Sequence, residues 1–364
     1  MNKSPIEYAC CCCDTMMRKF QAAELPPKGM FTYHQGVFLS GMMSLFKMVN
    51  DEKYLKYVTD WVDSVTTDDN KIICDKTGWV SLETLDFRQP GIVLYKLYEQ
   101  TNEEKYKECL KYLAKTLKNF PTNSDGGFWH MVSQKNQMWL DGLYMAGPLM
   151  TMYALLSGET EFFDIAARQI DVMYKHMYDE KSGLMFHGYD ESKKAVWANA
   201  KTGCSSEIWG RAMGWYVTAI ADMLDYIPQS HPMYVRIVEI ESSLLKSIIK
   251  YQDITGRWYQ VVNRIGEVGN WLENSASCLF VYSISKCVRK GILPPEYKDY
   301  ADKGYNGIIN SLKFENDDMI LDDICVGTCI DEGDFKHYSE REKCQNDLHG
   351  TGAFVLMSTE YSKI

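Results

Sequence analysis

Asp141 lies in the stretch Gln137-Met-Trp-Leu-Asp-Gly-Leu-Tyr-Met145, a carboxyl set among Trp139, Leu140, Leu143, Tyr144 and Met145. Apolar surroundings favour the protonated acid, whereas a helix N-terminus favours the anion. A carboxyl balanced between those pushes suits proton donation near neutral pH. Asp86, in TLDFRQPG, could act as a partner carboxylate or pair with nearby Arg88. Two histidines end matching Gly-aromatic segments, His130 in GGFWH and His187 in GLMFH. A lone histidine is usually a satisfied structural residue; the repetition makes these two candidates. In Trp209-Gly-Arg-Ala-Met-Gly-Trp215, Arg211 and Trp215 are four apart and share a helix face. An arginine between two tryptophans suits a carboxylated sugar, guanidinium to carboxylate and indole to ring face. The alternative is a cation–π packing unit.

Such groups need a frame, and a degenerate repeat supplies one. Amphipathic runs begin at Asp51, Asn102, Glu159, His231 and Pro294, each with an acidic or proline start and apolar residues every three to four positions. A more apolar helix precedes each, over 35–49, 82–98, 138–156, 208–226 and 275–288, with a further apolar helix near 348–361 and a first helix near 6–20. Helices apolar nearly all round must be surrounded by protein. About twelve helices alternating between the two types predict an all-α (α/α)6 barrel, a toroid of six hairpins, in a single domain spanning 1–364. GGFWH, GLMFH and GRWYQ (256–260) read as short β-hairpins at its rim. His34, Asp86, Asp141, Glu207, Glu273 and Asp347 open the six inner helices and would ring one mouth. Acids at those places also cap helices without any catalysis.

Composition narrows the partners. A net charge of -10 with no basic stripe argues against nucleic acid, and no charge-free span suggests a membrane. The 12 cysteines, four of them consecutive at Cys10–Cys13, lack framework spacing and are expected to be reduced thiols. The start, MNKSPIEYACCCCDTMMRKF, lacks an apolar leader core, so a cytoplasmic location is expected. Monomer and homodimer both remain open.

At QMWLDGLYMAGP, followed by WGRAMGWY, the sequence resembles the unsaturated rhamnogalacturonyl hydrolases of glycoside hydrolase family 105, and more distantly the unsaturated glucuronyl hydrolases of family 88. YHQGVF (33–38), NWLENSA (270–276) and NDLHGTGAF (346–354) extend the likeness along nearly the whole chain. The resemblance implies an (α/α)6 barrel without a metal or other cofactor. Its implied substrate is a small oligosaccharide ending in a 4,5-unsaturated uronic acid, left by a polysaccharide lyase. Asp141 would protonate C4 and assist water at C5, with Asp86 in support. His130, Trp139, Met145, His187, Trp209, Arg211 and Trp215 would line the sugar pocket. Met131, the stretch 132–136 and Ala212-Met213 depart from the pattern near that pocket and bear on which sugar is accepted. Two competing readings use the same residues: an inverting glycosidase with Asp141 and Asp86 as acid and base, and a non-catalytic sugar-binding toroid.

Overall fold

Alternation of half-buried and fully buried helices becomes two concentric rings in the computed structural model, which describes residues 3–67, 72 and 83–364. The helices are α1 (Pro5–Lys19), α2 (Tyr33–Val49), α3 (Glu52–Ser64), α4 (Gly91–Thr101), α5 (Glu104–Leu117), α6 (Asp141–Ser157), α7 (Glu161–Met177), α8 (Gly210–Met223), α9 (Tyr234–Ile248), α10 (Asn274–Arg289), α11 (Lys298–Ile309), the short α12 (Phe335–Ser339) and α13 (Leu348–Tyr361). In the outer helices one stripe is buried: Tyr54, Tyr57, Val58, Trp61 and Val62 of α3 face inward while charged residues between them face out. In the inner helices burial runs all round, as over 141–154 of α6 and 348–360 of α13. The inner ring closes in the order α2, α4, α6, α8, α10, α13 and back to α2. This is the (α/α)6 barrel expected from the repeat.

Closure at the α13–α2 seam depends on small residues. A Cβ on Gly352 would sit 2.5 Å from the Phe38 nitrogen and 2.6 Å from the Val37 carbonyl carbon, and one on Gly41 would meet the Gly352 carbonyl at 3.0 Å. Backbones in such contact leave no room for a methyl group.

The inner helices all start at one end. At the opposite end their last turns surround a cavity of about 200 Å³ lined by Ser44, Lys96, Met152, Asp222, Lys286 and Glu360 among others. Six helix C-termini converge there with their partial negative charges, which favours cations. Lys286 accordingly binds Asp222 at 2.5 Å and Asp225 at 2.6 Å, and Lys96 donates to the Ser40 carbonyl and Ser44 hydroxyl, both at 2.9 Å.

Two boundaries differ from expectation. α4 begins at Gly91, because Pro90 disfavours helix at Gln89; Asp86 therefore sits on a 3-10 turn, Leu85–Phe87, ahead of the helix. Leu82, the expected start, lies outside the described residues. Glu207 likewise precedes α8, whose N-cap is Trp209. Instead of capping, its carboxylate takes two hydrogen bonds from Arg264, at 3.1 and 2.9 Å. Glu273 and Asp347 do cap, accepting from the Ala276 and His349 amides.

The rim carries short antiparallel strand pairs, 137–139 with 188–190, 178–179 with 184–185, and 258–259 with 272–273. Cys10–Cys13 are one turn of α1, with Cys12 and Cys13 buried, and burial pushes both thiols up. Cys10, Cys11, Cys12, Cys13, Cys204, Cys278, Cys287, Cys325, Cys329 and Cys344 are free thiols. Among the described residues no helix is long and apolar enough to cross a membrane.

Candidate active site

Asp141 is the first residue of α6, and the two strand pairs beside it deliver its partner. The Leu140 amide donates to the His187 carbonyl at 3.0 Å, and the His187 amide to the Glu207 carbonyl at 3.3 Å. These ties hold the His187 ring so that Nε2 lies 3.0 Å from Asp141 Oδ2, while Nδ1 lies 2.7 Å from the Tyr338 hydroxyl. His187 is fully buried and Asp141 is 8% exposed, so the carboxyl keeps only a narrow opening to the mouth. Burial alone would raise the Asp141 carboxyl; His187 and then His130 more than offset it, holding it below the usual carboxylate value. For His187 burial outweighs the Asp141 charge and draws the imidazole below its ordinary value. Of the two pushes weighed from sequence, the anion prevails. The flanking histidines account for this more than the helix end does.

Asp86 has a histidine of its own. His130 Nε2 lies 3.3 Å from Asp86 Oδ1, and the His130 ring stacks on Trp139 at 4.4 Å with planes 11° apart. Burial would lower His130, but the Asp86 charge and hydrogen bond raise it above its ordinary value. Arg88, the other partner considered for Asp86, donates to the Thr84 carbonyl and lies over the Phe120 ring.

Aromatic rings enclose the pair of acids. Trp139 meets His187 edge-on at 5.9 Å, and Trp209 packs against His187 at 4.7 Å and against Tyr338 at 5.8 Å. Arg211 lies over Trp209, 4.4 Å from the ring centre. The structure thus brings Asp141, Asp86, His130, Trp139, His187, Trp209 and Arg211 to one mouth. The expected arginine between two tryptophans is not what forms. Trp215 stacks on Tyr144 at 4.8 Å, and both it and Met145 belong to the apolar core, each 1% exposed.

Arg211 is itself tightly held. Nη1 donates to the Cys325 carbonyl and lies 3.0 Å from His349 Nε2, and Nη2 donates to the Val326 carbonyl at 2.7 Å. His349 Nε2 also lies 3.0 Å from the Cys325 carbonyl, and Nδ1 lies 2.6 Å from Asp347 Oδ1. His34, Asp347 and His349 offer donor atoms within 4.8 Å of one another, a grouping a metal ion could use. Their chemistry fits it poorly. The fixed charge of Arg211, 3.0 Å from His349 Nε2, opposes a divalent cation there.

Residues 9–364 match Glycosyl Hydrolase Family 88. A glycoside hydrolase from family 105 of C. acetobutylicum is 33% identical, with a TM-score of 0.92 over 98% of this chain and 99% of that one. The chain belongs to the family 88/105 glycoside hydrolases. Within the family, the unsaturated rhamnogalacturonyl hydrolase YesR of Bacillus subtilis is 24% identical over 301 residues, 81% of this chain and 79% of that protein. Protein Atu3128 of Agrobacterium fabrum is 36% identical over 152 residues, 42% of this chain; the chain spans 64% of the length of that relative.

For this glycoside hydrolase, sequence reasoning missed Tyr338 and left His349 inside a quoted motif without a role. Tyr338 sits in the long segment between α11 and α13, which has no partner in the repeat. It lies in the polar stretch DFKHYSE (334–340) beside Phe335 and His337, where nothing sets it apart. The histidine in NDLHGTGAF, one turn into an inner helix, was the more legible signal.

Proposed function

We propose that this glycoside hydrolase removes the terminal 4,5-unsaturated uronic acid from lyase-generated oligosaccharides, with an unsaturated galacturonyl–rhamnose disaccharide as the leading candidate. The observation that carries the reading is the Asp141–His187 pair at the mouth, walled by Trp139 and Trp209, with Arg211 on the second indole. The conjugated C4=C5 bond is an enol ether. Asp141 gives its proton to C4, and the positive charge that forms at C5 is shared with the ring oxygen. Water adds at C5 and returns a proton to Asp141. The resulting hemiketal opens and the glycosidic bond is lost, so no carboxylate attacks the anomeric carbon, unlike the usual two-carboxylate scheme.

Asp141 must carry a proton before it can give one. It is held low in the free protein, and a bound uronate raises it by bringing a second negative charge and expelling water. Proton uptake therefore accompanies substrate binding. His130, which the Asp86 carboxylate raises above its ordinary value, offsets part of that second carboxylate's repulsion when protonated. The likeness to YesR supports rhamnose on the leaving side.

The test is to incubate the protein with lyase-generated rhamnogalacturonan and glucuronyl oligosaccharides and follow the ultraviolet absorbance of the enol ether. Loss of that absorbance with release of the neighbouring sugar is expected, faster for the rhamnogalacturonan fragment. Cleavage of saturated oligosaccharides with no loss of absorbance would overturn the proposal in favour of inverting hydrolysis, and binding without turnover would reduce the protein to a sugar-binding toroid.

A further inference from the structure

With a neutral ring, one hydrogen-bond arrangement around His187 satisfies both of its contacts. An ionised carboxylate only accepts, so the 3.0 Å contact with Asp141 Oδ2 requires the proton on His187 Nε2. In a neutral imidazole Nδ1 then carries the lone pair, and the hydroxyl 2.7 Å away must donate to it. That hydroxyl belongs to Tyr338, which is itself fully buried. The Asp334 carboxylate caps the short helix α12 at the His337 amide, Gln260 donates to the Tyr338 carbonyl at 3.2 Å, and Trp271 donates to the Ser339 carbonyl at 3.2 Å. The phenol therefore arrives on a pinned element.

We propose that Tyr338 is a positioning residue for the acid: its phenol holds His187 in the tautomer that aims an N–H at Asp141. The proposal rests on the reading of Asp141 as proton donor. As Asp141 hands its proton to carbon, negative charge develops on the carboxylate, and a fixed N–H facing it stabilises that charge without rearrangement. With Nδ1 unmet, the ring can place its proton there instead and turn a lone pair toward Asp141. It can also take up a second proton. The other groups around His187 are His130, Arg211 and the Trp139 and Trp209 rings, none of which donates to Nδ1.

The experiment uses the full chain labelled with ¹⁵N-histidine, with the His187 signals assigned by their loss in His187→Gln. Long-range ¹H–¹⁵N correlation in the free protein at neutral pH is expected to show a protonated Nε2 and an unprotonated Nδ1. In Tyr338→Phe, which keeps the ring and the packing, that pattern is expected to shift toward the other tautomer or the imidazolium. kcat on the unsaturated substrate should fall about 10- to 30-fold, the worth of one hydrogen bond, with KM within about twofold. A protonated Nδ1 in the unsubstituted protein overturns the proposal, as does a Tyr338→Phe protein that keeps both tautomer and kcat. If no unsaturated sugar is turned over, the substrate reading fails while the tautomer measurement still decides the part played by Tyr338.

Discussion

Replacing Gly352 with alanine tests the barrel where it closes. The new methyl carbon would lie 2.5 Å from the Phe38 nitrogen, 2.6 Å from the Val37 carbonyl carbon and 2.7 Å from the Phe38 Cα. All three are backbone atoms of α2, so no rotamer change relieves them, and α13 must move off by most of an ångström. Overpacking of this kind costs about 3 kcal/mol or more, and the gain in helix propensity returns about 1. The net loss is about 2–3 kcal/mol. At roughly 2.1 cal/mol/K per residue, the unfolding entropy of a chain of 364 residues is about 0.8 kcal/mol/K, so Tm should drop by about 3–4 °C. Gly350→Ala on the same helix is the comparison, since the nearest atoms to its methyl belong to a side chain, Ile324 Cδ1 at 2.5 Å and the two γ carbons at 2.8 and 2.9 Å, and not to the α2 backbone. Calorimetry on both variants decides the matter. A Gly352→Ala protein no less stable than Gly350→Ala would refute the close-approach account of the seam. Because α2 carries His34 and α13 carries His349, Gly352→Ala should also lose activity beyond its loss of stability.

Asp141→Asn keeps the shape and an acceptor for His187 but has no proton to give, so kcat should fall by about 10²- to 10⁴-fold with little change in Tm; activity above a few per cent would remove Asp141 from its role. Burial, with His349 alongside, holds His34 at about 4 against an ordinary 6.5, so the unfolded chain takes the proton first and stability falls as pH drops through that interval. The fall is about 2–3 kcal/mol by pH 4.5 and should be missing in His34→Gln, as denaturant melts at pH 7 and 4.5 would show. Arg264→Ala strands the Glu207 carboxylate, 5% exposed, without its partner. Since Arg264 itself is 40% exposed, the cost should be about 1–3 kcal/mol, less than for a fully buried pair; Arg264→Ala combined with Glu207→Gln should recover most of it.

Helical periodicity was legible because it is a local property repeated many times. The amphipathic runs from Asp51 and Asn102 became α3 and α5 within a residue or two of their expected starts. Seven of the nine candidate residues meet at one mouth for the same reason, since each sits at a helix start or in a rim segment that the repeat marks. Trp215 and Met145 lie one turn further along their helices than Arg211 and Asp141, and there Trp215 stacks on Tyr144. Depth along a buried helix leaves no mark on sequence spacing. Tyr338 was illegible for a different reason: its contact with His187 spans 151 positions and comes from an irregular segment. The direction of the Asp141 shift likewise depended on His187 and His130, which only the folded chain brings near.

The ion cluster at the closed end bears on the open one through leverage. α10 has 16 residues, so at 1.5 Å per residue its ends are about 24 Å apart. Pivoting such a rod by roughly 3° about its foot swings its tip by about 1.3 Å, and errors of that size at a reacting centre cost on the order of a hundredfold in rate. Lys286 on α10, clasped by Asp222 on α8 and Asp225 just past its end, therefore acts as an anchor bolt, and loosening it should misalign Arg211 and Glu273 at the far tips while touching neither.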